Sequence, residues 1–113
     1  MTQRRSAIYY KDSETEKEPA REWLESLRDR VGQSRIYTRI ERAESGNFGD
    51  HRPVGQSVFE LRIDVGPGYR VYYALEGNDI ILLLAGGDKS SQSKDIELAK
   101  QYWSLHKSES KGD

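Results

Sequence analysis

In two neighbouring segments, 59–65 and 69–75, large apolar side chains recur at every second position, and this feature constrains the fold of the 113-residue chain most strongly. A period of two is typical of a β-strand that buries one face. Gly66-Pro67-Gly68 lies between the segments and predicts a tight turn, so the two strands are expected to pair as an antiparallel hairpin. The alternation places three side chains together on the opposite face: Arg62, Arg70 and Tyr72.

Apolar runs predict two more strands. Residues 7–10 form a short apolar and aromatic run. Gly77-Asn78 is a two-residue hairpin signal, and the run that follows, Ile80–Leu84, is apolar on both faces. That run predicts a central strand covered on both sides. The predicted strands are residues 6–10, 58–64, 69–76 and 79–86.

Apolar side chains at three- and four-residue spacing predict three helices. Pro19 suits the first turn of the first helix, Gly32 marks its end, and Ser34 caps the second helix. Residues 45–57 are rich in Gly, Ser, Asn and Asp, and predict a loop. The predicted helices are residues 19–31, 34–45 and 91–106.

These elements predict an α+β fold with a mainly antiparallel four-stranded sheet, two N-terminal helices and a C-terminal helix. The predicted order is β-α-α-β-β-β-α. The chain has the length of one domain, so residues 1–113 are expected to form a single unit, frayed in the polar tail from about Ser108. We expect the sheet to leave one polar face in contact with solvent.

Composition limits the classes of protein to which the chain can belong. It has no cysteine, which excludes disulfides and cysteine-ligated metals. No apolar run approaches the roughly 20 residues of a membrane span, and the N-terminus lacks the apolar core of a signal peptide. We therefore expect a cytoplasmic protein without a membrane partner. The net charge is -1, so any RNA binding must come from a local cluster of cations.

Such a cluster is predicted at the polar face of the hairpin. The glycine loop after the last strand brings Lys89 to the same edge of the sheet as Arg62 and Arg70. These three cations form a patch suited to RNA phosphates. The alternative is an ordinary solvated face with Arg62 paired to Glu60 and Arg70 paired to Asp64, and the pattern alone favours this alternative.

Three segments resemble a known family: Phe59–Asp64 (FELRID), Gly66–Tyr73 (GPGYRVYY) and Leu82–Gln92 (LLLAGGDKSSQ). In these segments the chain resembles the RelE/HigB-type toxins of bacterial toxin–antitoxin modules, and is most similar to the phage-related addiction module killer proteins. The resemblance runs from about Tyr9 to Trp103 and implies a small RelE-like fold. It does not imply one activity, because the RelE/ParE superfamily contains both messenger RNA endonucleases and gyrase poisons.

The resemblance favours the toxin of a type II toxin–antitoxin system that cuts messenger RNA on the ribosome and so inhibits translation. The basic residues that such endonucleases use correspond here to Arg62, Arg70 and Lys89. Members of the family use no metal or other cofactor, because the substrate's own 2′-hydroxyl attacks the adjacent phosphate. The implied partners are the ribosome, messenger RNA and a cognate antitoxin, a small helix-turn-helix protein.

The sequence leaves the general base open. Some relatives place a tyrosine or histidine in the last helix, where this chain has Lys94-Asp95-Ile96. Asp95 is a candidate, although an acid in the first turn of a helix also stabilises the helix dipole. The other candidate is His51, in the loop before the hairpin. The alternative for His51 is an exposed loop residue without a catalytic role, and its position in a loop favours this alternative. Tyr72, on the polar face of the hairpin, is expected to stack on an RNA base or to donate a proton.

Arginines recur along one face of the predicted second helix, at Arg35, Arg39 and Arg42. This stripe either contacts ribosomal RNA or an acidic antitoxin surface, or is a solvated face paired with Glu41 and Glu44. The pattern alone favours the solvated face.

Two other functions suit the same fold. One is a gyrase inhibitor of the ParE type without nuclease activity, and the three retained cations argue against it. The other is a degraded toxin that acts only as the binding partner and co-repressor of its antitoxin. The lack of a tyrosine or histidine at the matching position of the last helix keeps this function open.

Overall fold

A five-stranded sheet with helices on both faces forms the body of the protein in the computed structural model, which describes residues 4–110. A short 3-10 turn, Lys89–Ser91, joins the last strand to the last helix. No helix in the described part of the chain is long and apolar enough to cross a membrane. In chain order the elements are β1 Ser6–Tyr9, α1 Pro19–Ser26, α2 Arg30–Glu44, β2 His51–Gly55, β3 Val58–Ile63, β4 Tyr69–Glu76, β5 Ile80–Asp88 and α3 Gln92–Ser110.

The strands lie side by side in the order β1-β5-β4-β3-β2. β1 runs parallel to β5, and the other neighbouring pairs are antiparallel. The predicted α+β class and mainly antiparallel sheet are therefore confirmed. The predicted count of four strands was wrong by one, and the order of elements is β-α-α-β-β-β-β-α.

The additional strand is β2, which lies inside the segment 45–57 that was predicted to be a loop. Four of its five residues are exposed and only Val54 is partly buried, so no apolar alternation marks the strand. Pro53 also argues against a strand in sequence. It is accommodated because β2 is an edge strand, where a missing backbone N–H removes no central hydrogen bond.

Both faces of the sheet are covered, which corrects the expectation of one solvated face. α1 and α2 pack on one face, in a core that includes Leu24 and Val71. α3 packs on the other face, where Ala99 and Trp103 lie in one core with Tyr72. β5 contributes buried residues to both cores, as predicted for a central strand. The alternation misled because two polar side chains of the second face, Glu60 and Tyr72, are buried and hydrogen-bonded to each other.

The junction between the first two helices also differs from the prediction. α1 ends at Ser26 and α2 begins at Arg30, four residues before the predicted start at Ser34. The N-cap of α2 is Asp29, whose carboxylate accepts a hydrogen bond from the backbone N–H of Gly32 at 2.9 Å. The cap therefore comes from the loop that was predicted to be the end of the first helix.

Gly32 lies inside α2 and does not end a helix. A Cβ at this position would lie 2.5 Å from Cε2 of Tyr69, which is too close for any side chain. The Tyr69 hydroxyl donates a hydrogen bond to the Asp29 carboxylate at 2.8 Å. Gly32 is therefore explained by close packing of a β4 tyrosine against the start of α2.

The last helix is longer than predicted. α3 begins at Gln92 and continues to Ser110, so the polar tail predicted from Ser108 begins within the helix. The remainder of that tail, residues 111–113, lies outside the described residues. The added length of α3 lies at the end of the sheet away from the glycine loop.

Candidate functional site

A carboxylate without exposed surface lies on the α3 side of the sheet. Glu60 of β3 has a relative exposure of 0%. It accepts hydrogen bonds from Arg52 Nε on β2 at 2.9 Å, from Gln92 Nε2 on α3 at 2.6 Å and from the Tyr72 hydroxyl on β4 at 3.1 Å. Glu60 therefore connects four elements of the fold at one point.

The Glu60 carboxylate is ionised in spite of its burial. Burial raises the pKa of a carboxyl group, but the hydrogen bonds from Arg52, Gln92 and Tyr72 outweigh that effect and hold the pKa of Glu60 below its ordinary value. A fixed negative charge is thus present beneath this part of the surface, where it attracts the neighbouring arginines.

Arg62 and Arg70 are direct cross-strand partners on β3 and β4, so they project from the same face, as predicted. Their Nε atoms lie 3.9 Å and 4.0 Å from the two carboxylate oxygens of Glu60. The predicted pair of Arg62 with Glu60 is therefore present, whereas Arg70 lies beside Glu60 and not, as the alternative had it, beside Asp64. The Arg70 side chain is 6% exposed and that of Arg62 is 41% exposed.

The two guanidinium groups retain unused hydrogen-bonding capacity. Nε of Arg62 and Nε of Arg70 are buried and have no hydrogen-bond partner within the described part of the chain. Nη1 of Arg70 donates to the carbonyl oxygen of Tyr69 at 3.1 Å. The ion pairs with Glu60 thus fix the arginines chiefly through charge.

A polar cleft of about 260 Å³ opens beside these arginines. Lys89, the first residue of the 3-10 turn, reaches the cleft from the end of β5. Gly68 has a φ of 81°, and a Cβ there would lie 3.5 Å from both Arg70 Nη1 and Lys89 Cβ. The structure therefore brings together the three predicted cations in one cleft, which is lined by Asp50, Arg62, Asp64, Gly66, Pro67, Gly68, Arg70 and Lys89.

Tyr72 lies on the predicted face but is fully buried, with a relative exposure of 0%. Burial, followed by the nearby Glu60 carboxylate, raises the pKa of its hydroxyl far above the ordinary value. Its hydroxyl already donates to Glu60. In this arrangement the Tyr72 hydroxyl holds the Glu60 carboxylate in place, and the buried ring of Tyr72 cannot stack on an RNA base.

Asp95 lies in the first turn of α3 and is also buried, with 8% exposure. Its carboxylate accepts a hydrogen bond from the Ser91 hydroxyl at 2.5 Å. Gly87 makes room for it, because a Cβ at that position would lie 1.9 Å from Asp95 Oδ2. Burial raises the pKa of Asp95. The residue packs behind the glycine loop and does not line the cleft.

His51 lies apart from the three cations. It is the cross-strand partner of Leu61, whose side chain belongs to the core beneath α1 and α2. Its ring lies 5.7 Å from that of Phe48, and Nδ1 is 2.8 Å from the carbonyl oxygen of Gly49. The structure therefore places His51 on the face of the sheet opposite to Arg62 and the cleft.

The arginines of α2 differ among themselves. Arg39 donates to the carbonyl oxygens of Arg62, Phe48 and Asp50 at 2.6, 3.0 and 3.1 Å, so it ties the segment before β2 to the end of β3. Burial lowers the pKa of Arg39. Arg35 and Arg42 are exposed, and with Arg39 they line a shallow polar depression. Within the predicted stripe, Arg35 and Arg42 thus differ from Arg39 in facing outward.

The acids predicted to pair with that stripe have a different environment. Glu44 accepts a hydrogen bond from the backbone N–H of Ala7 at 2.8 Å, which attaches α2 to β1. Glu41 is exposed and lines a groove beside β1 with Tyr9 and Tyr37. The interpretation of the stripe as a paired, solvated face therefore gains no support from Glu44.

The sequence pattern predicted Glu60 only as a partner of Arg62 on a solvated face and did not indicate its burial. It gave no role to Arg52, Gln92 or Asp50. For Glu60 a signal existed, because the alternation already placed it on the same face as Arg62. For Arg52, which lies in β2, and for Asp50, which directly precedes that strand, no such signal existed, because β2 carries no apolar pattern. Gln92 comes from another element altogether, and local sequence does not reveal a contact across 32 residues.

Comparison with known proteins yields two matches. A family described as "Phage derived protein Gp49-like (DUF891)" matches residues 22–104. A protein of Haemophilus influenzae, described as an uncharacterized protein, is 49% identical over 78 residues, which cover 69% of this chain and 79% of the relative. The residues that the family model matches include the hairpin β3–β4, the glycine loop, and Arg62, Arg70 and Lys89.

Proposed function

The chain belongs to the phage-derived Gp49-like family, a toxin-like family of addiction modules, and from that premise we propose that it is the toxin of a type II toxin–antitoxin system. We further propose that it is a ribosome-dependent endonuclease that cuts messenger RNA and so stops translation. Its place of action is then the cytoplasm. Its partners are the ribosome, messenger RNA and a cognate antitoxin of the helix-turn-helix class, and no metal or cofactor takes part.

The observation that carries the nuclease proposal is the grouping of Arg62, Arg70 and Lys89 around one cleft beside a buried carboxylate. Attack on a phosphodiester gathers negative charge on the phosphoryl oxygens. Cations that are already fixed in place stabilise that charge without reorganisation, and one well-placed donor is typically worth about 2.7–4 kcal/mol. Glu60 supports this role because it orders both arginines before RNA arrives.

In the proposed reaction the 2′-oxygen of the substrate loses its proton and attacks the adjacent phosphorus. The bond from phosphorus to the 5′-oxygen of the next nucleotide breaks, and that oxygen takes up a proton. The products are a 2′,3′-cyclic phosphate and a 5′-hydroxyl. Arg70 binds the phosphoryl group, because a planar guanidinium contacts two phosphate oxygens at once, and the exposed Lys89 adds charge at the edge of the cleft.

We propose that a carboxylate of the cleft accepts the 2′-hydroxyl proton. Asp50 and Asp64 both line the cleft and both are exposed, so an RNA strand can approach them. A positioned carboxylate can serve as a general base, typically with a rate gain of about 10²–10⁴. Comparison of the Asp50→Asn and Asp64→Asn variants assigns the role, because only replacement of the general base is expected to remove that rate gain.

Cleavage of a defined messenger RNA, with and without ribosomes, tests the proposal. The purified protein is expected to cut only ribosome-bound message and to leave 2′,3′-cyclic phosphate ends, identified by mass spectrometry. Lys89→Ala should slow cleavage on the order of a hundredfold. The control is Lys17→Ala, which removes an exposed lysine from the loop before α1 and should leave the cleavage rate at the wild-type value. Absence of ribosome-dependent cuts, combined with double-strand breaks in DNA, would support gyrase poisoning instead.

A further inference from the structure

A second basic pocket lies between α3 and the turn that joins β2 to β3. Its volume is about 310 Å³. Two ammonium groups, of Lys100 and Lys107, contribute to it, and no acidic side chain is among its lining residues. The lining consists of Gln56, Ser57, Lys100, Trp103, Ser104 and Lys107. These residues combine positive charge with neutral hydrogen-bond donors, as an anion site requires.

Trp103 gives this pocket a buried donor without an acceptor. The residue is 8% exposed, and its Nε1 has no hydrogen-bond partner within the described part of the chain. Lys107 Nζ lies 5.3 Å from the centre of the indole ring, so the cation rests against the same side chain. A buried indole N–H without a partner is costly, and an anionic acceptor in the pocket would satisfy it.

Side chains of β2 and α3 form a seam that runs from Glu60, beside the cleft, to the pocket. At the near end, Arg52 and Gln92 both donate to Glu60. At the far end, a Cβ at Gly55 would lie 3.2 Å from Lys100 Nζ. Eight helical residues separate Gln92 from Lys100, which corresponds to about 12 Å along the helix axis. A few nucleotides can bridge that distance.

The side chain of Arg52 lies on this seam and is 51% exposed. A strand of RNA that leaves the cleft therefore meets Arg52 first and the two lysines next. Glu97, one turn before Lys100 on α3, does not line the pocket. An acidic segment of a partner protein is a less suitable ligand for this pocket than RNA, because the basic seam begins at the cleft in which the RNA is proposed to bind.

We propose that the pocket at Lys100, Trp103 and Lys107 binds a backbone phosphate of the RNA strand whose scissile phosphate occupies the cleft. This inference rests on the proposed nuclease function. The lysines neutralise the phosphate charge, and Ser57, Ser104 and the indole N–H are the neutral donors. Because backbone contacts carry no base information, the pocket adds affinity and direction to binding and adds no sequence preference.

Salt dependence of RNA binding tests the proposal. The probe is a fluorescent 12-nucleotide RNA with 2′-O-methyl groups throughout, which cannot be cut by 2′-hydroxyl attack, and anisotropy gives Kd between 50 and 200 mM NaCl. In the variant Lys100→Gln/Lys107→Gln, the slope of log Kd against log [NaCl] is expected to fall by about 0.7, the value for one phosphate contact in a single strand. Binding at 100 mM NaCl should weaken on the order of tenfold.

The matched control is Lys11→Gln/Lys17→Gln, which removes two exposed lysines from the loop after β1 and should keep the wild-type slope. Thermal melting of each variant shows that the fold is intact. A wild-type slope for Lys100→Gln/Lys107→Gln, with binding still lost in Arg70→Ala, would overturn the pocket proposal and leave the nuclease proposal standing. Loss of antitoxin binding with an unchanged RNA slope would assign the pocket to the antitoxin. Failure of the wild type to bind RNA would reject the pocket proposal, whereas the nuclease proposal is decided separately by cleavage of ribosome-bound message.

Discussion

Glu60 holds an ionised carboxylate away from solvent, and three hydrogen bonds from Arg52, Gln92 and Tyr72 make this possible. The same bonds lower its pKa in the folded state. Between the folded and unfolded pKa values the unfolded chain binds more protons, so protonation favours unfolding. The stabilisation from Glu60 is therefore complete above the unfolded pKa of about 4.3 and is lost as the pH falls through the folded pKa.

Replacing Glu60 with Gln should remove this pH dependence. At neutral pH the free energy of unfolding is expected to fall by about 1–3 kcal/mol, because a buried amide cannot accept all three hydrogen bonds. Below pH 4 the difference between the two proteins should shrink. Urea unfolding of both proteins at a series of pH values from 7 to 3 measures this difference. Subtracting one free energy of unfolding from the other cancels the contributions of Asp29 and Asp88, whose pKa values are also lowered. A difference that stays constant with pH would contradict the ionised state of Glu60.

Replacement of Arg70 is expected to affect both stability and cleavage, so the two effects must be measured together. From the alternation alone it is a surface residue, but the structure leaves only 5% of it exposed. We therefore expect Arg70→Ala to cost about 1–3 kcal/mol of stability and at least a hundredfold in ribosome-dependent cleavage. Arg70→Lys should recover only part of the rate, because it restores the charge without the planar fork.

Thermal melting and cleavage rate should be measured on the same preparation of Arg70→Ala. The matched control is Arg21→Ala on α1, an exposed arginine that pairs with Glu18. It should melt and cut like the wild type. A folded Arg70→Ala protein with a near wild-type rate would remove Arg70 from the catalytic site.

At the scale of elements, period two in the sequence predicted β3 and β4 well, because one buried face imposes it directly. β5 was predicted by a run of apolar residues that both cores require. β2 could not be predicted in this way, since an exposed edge strand needs backbone pairing and no buried side chains. The boundary between α1 and α2 was misplaced because Ser34 and Asp29 are both good N-caps, and tertiary contacts decide between them.

The cap assignment leads to a prediction for a pair of alanine variants. Asp29→Ala removes the acceptor for Gly32 N and for the Tyr69 hydroxyl, and should lower the Tm by several degrees. Ser34→Ala lies inside α2 at an exposed position and should leave the Tm unchanged within error. Differential scanning calorimetry on both proteins gives the comparison. Equal effects of the two substitutions would place the start of α2 at Ser34 after all.

At the scale of the whole molecule, the candidate site depends on contacts that no local pattern contains. The hairpin placed Arg62 and Arg70 together, and the glycine loop after the last strand added Lys89. Glu60 binds residues from three other elements, so its role emerges only when β2 and α3 are in place. Sequence predicted the cations of the cleft and missed the buried anion that orders them.

The last prediction concerns what this arrangement does in a cell. Induced expression without antitoxin should arrest growth because messenger RNA is cut on the ribosome, so incorporation of labelled amino acids should fall before incorporation of labelled thymidine. The double variant Arg62→Ala/Arg70→Ala, checked for folding by circular dichroism, should permit growth, since the cleft loses two of its three cations. Co-expression of the cognate antitoxin should restore growth in the wild type. If thymidine incorporation fails first, or if the double variant arrests growth as strongly as the wild type, toxicity arises from a surface other than the cleft and the nuclease proposal must be abandoned.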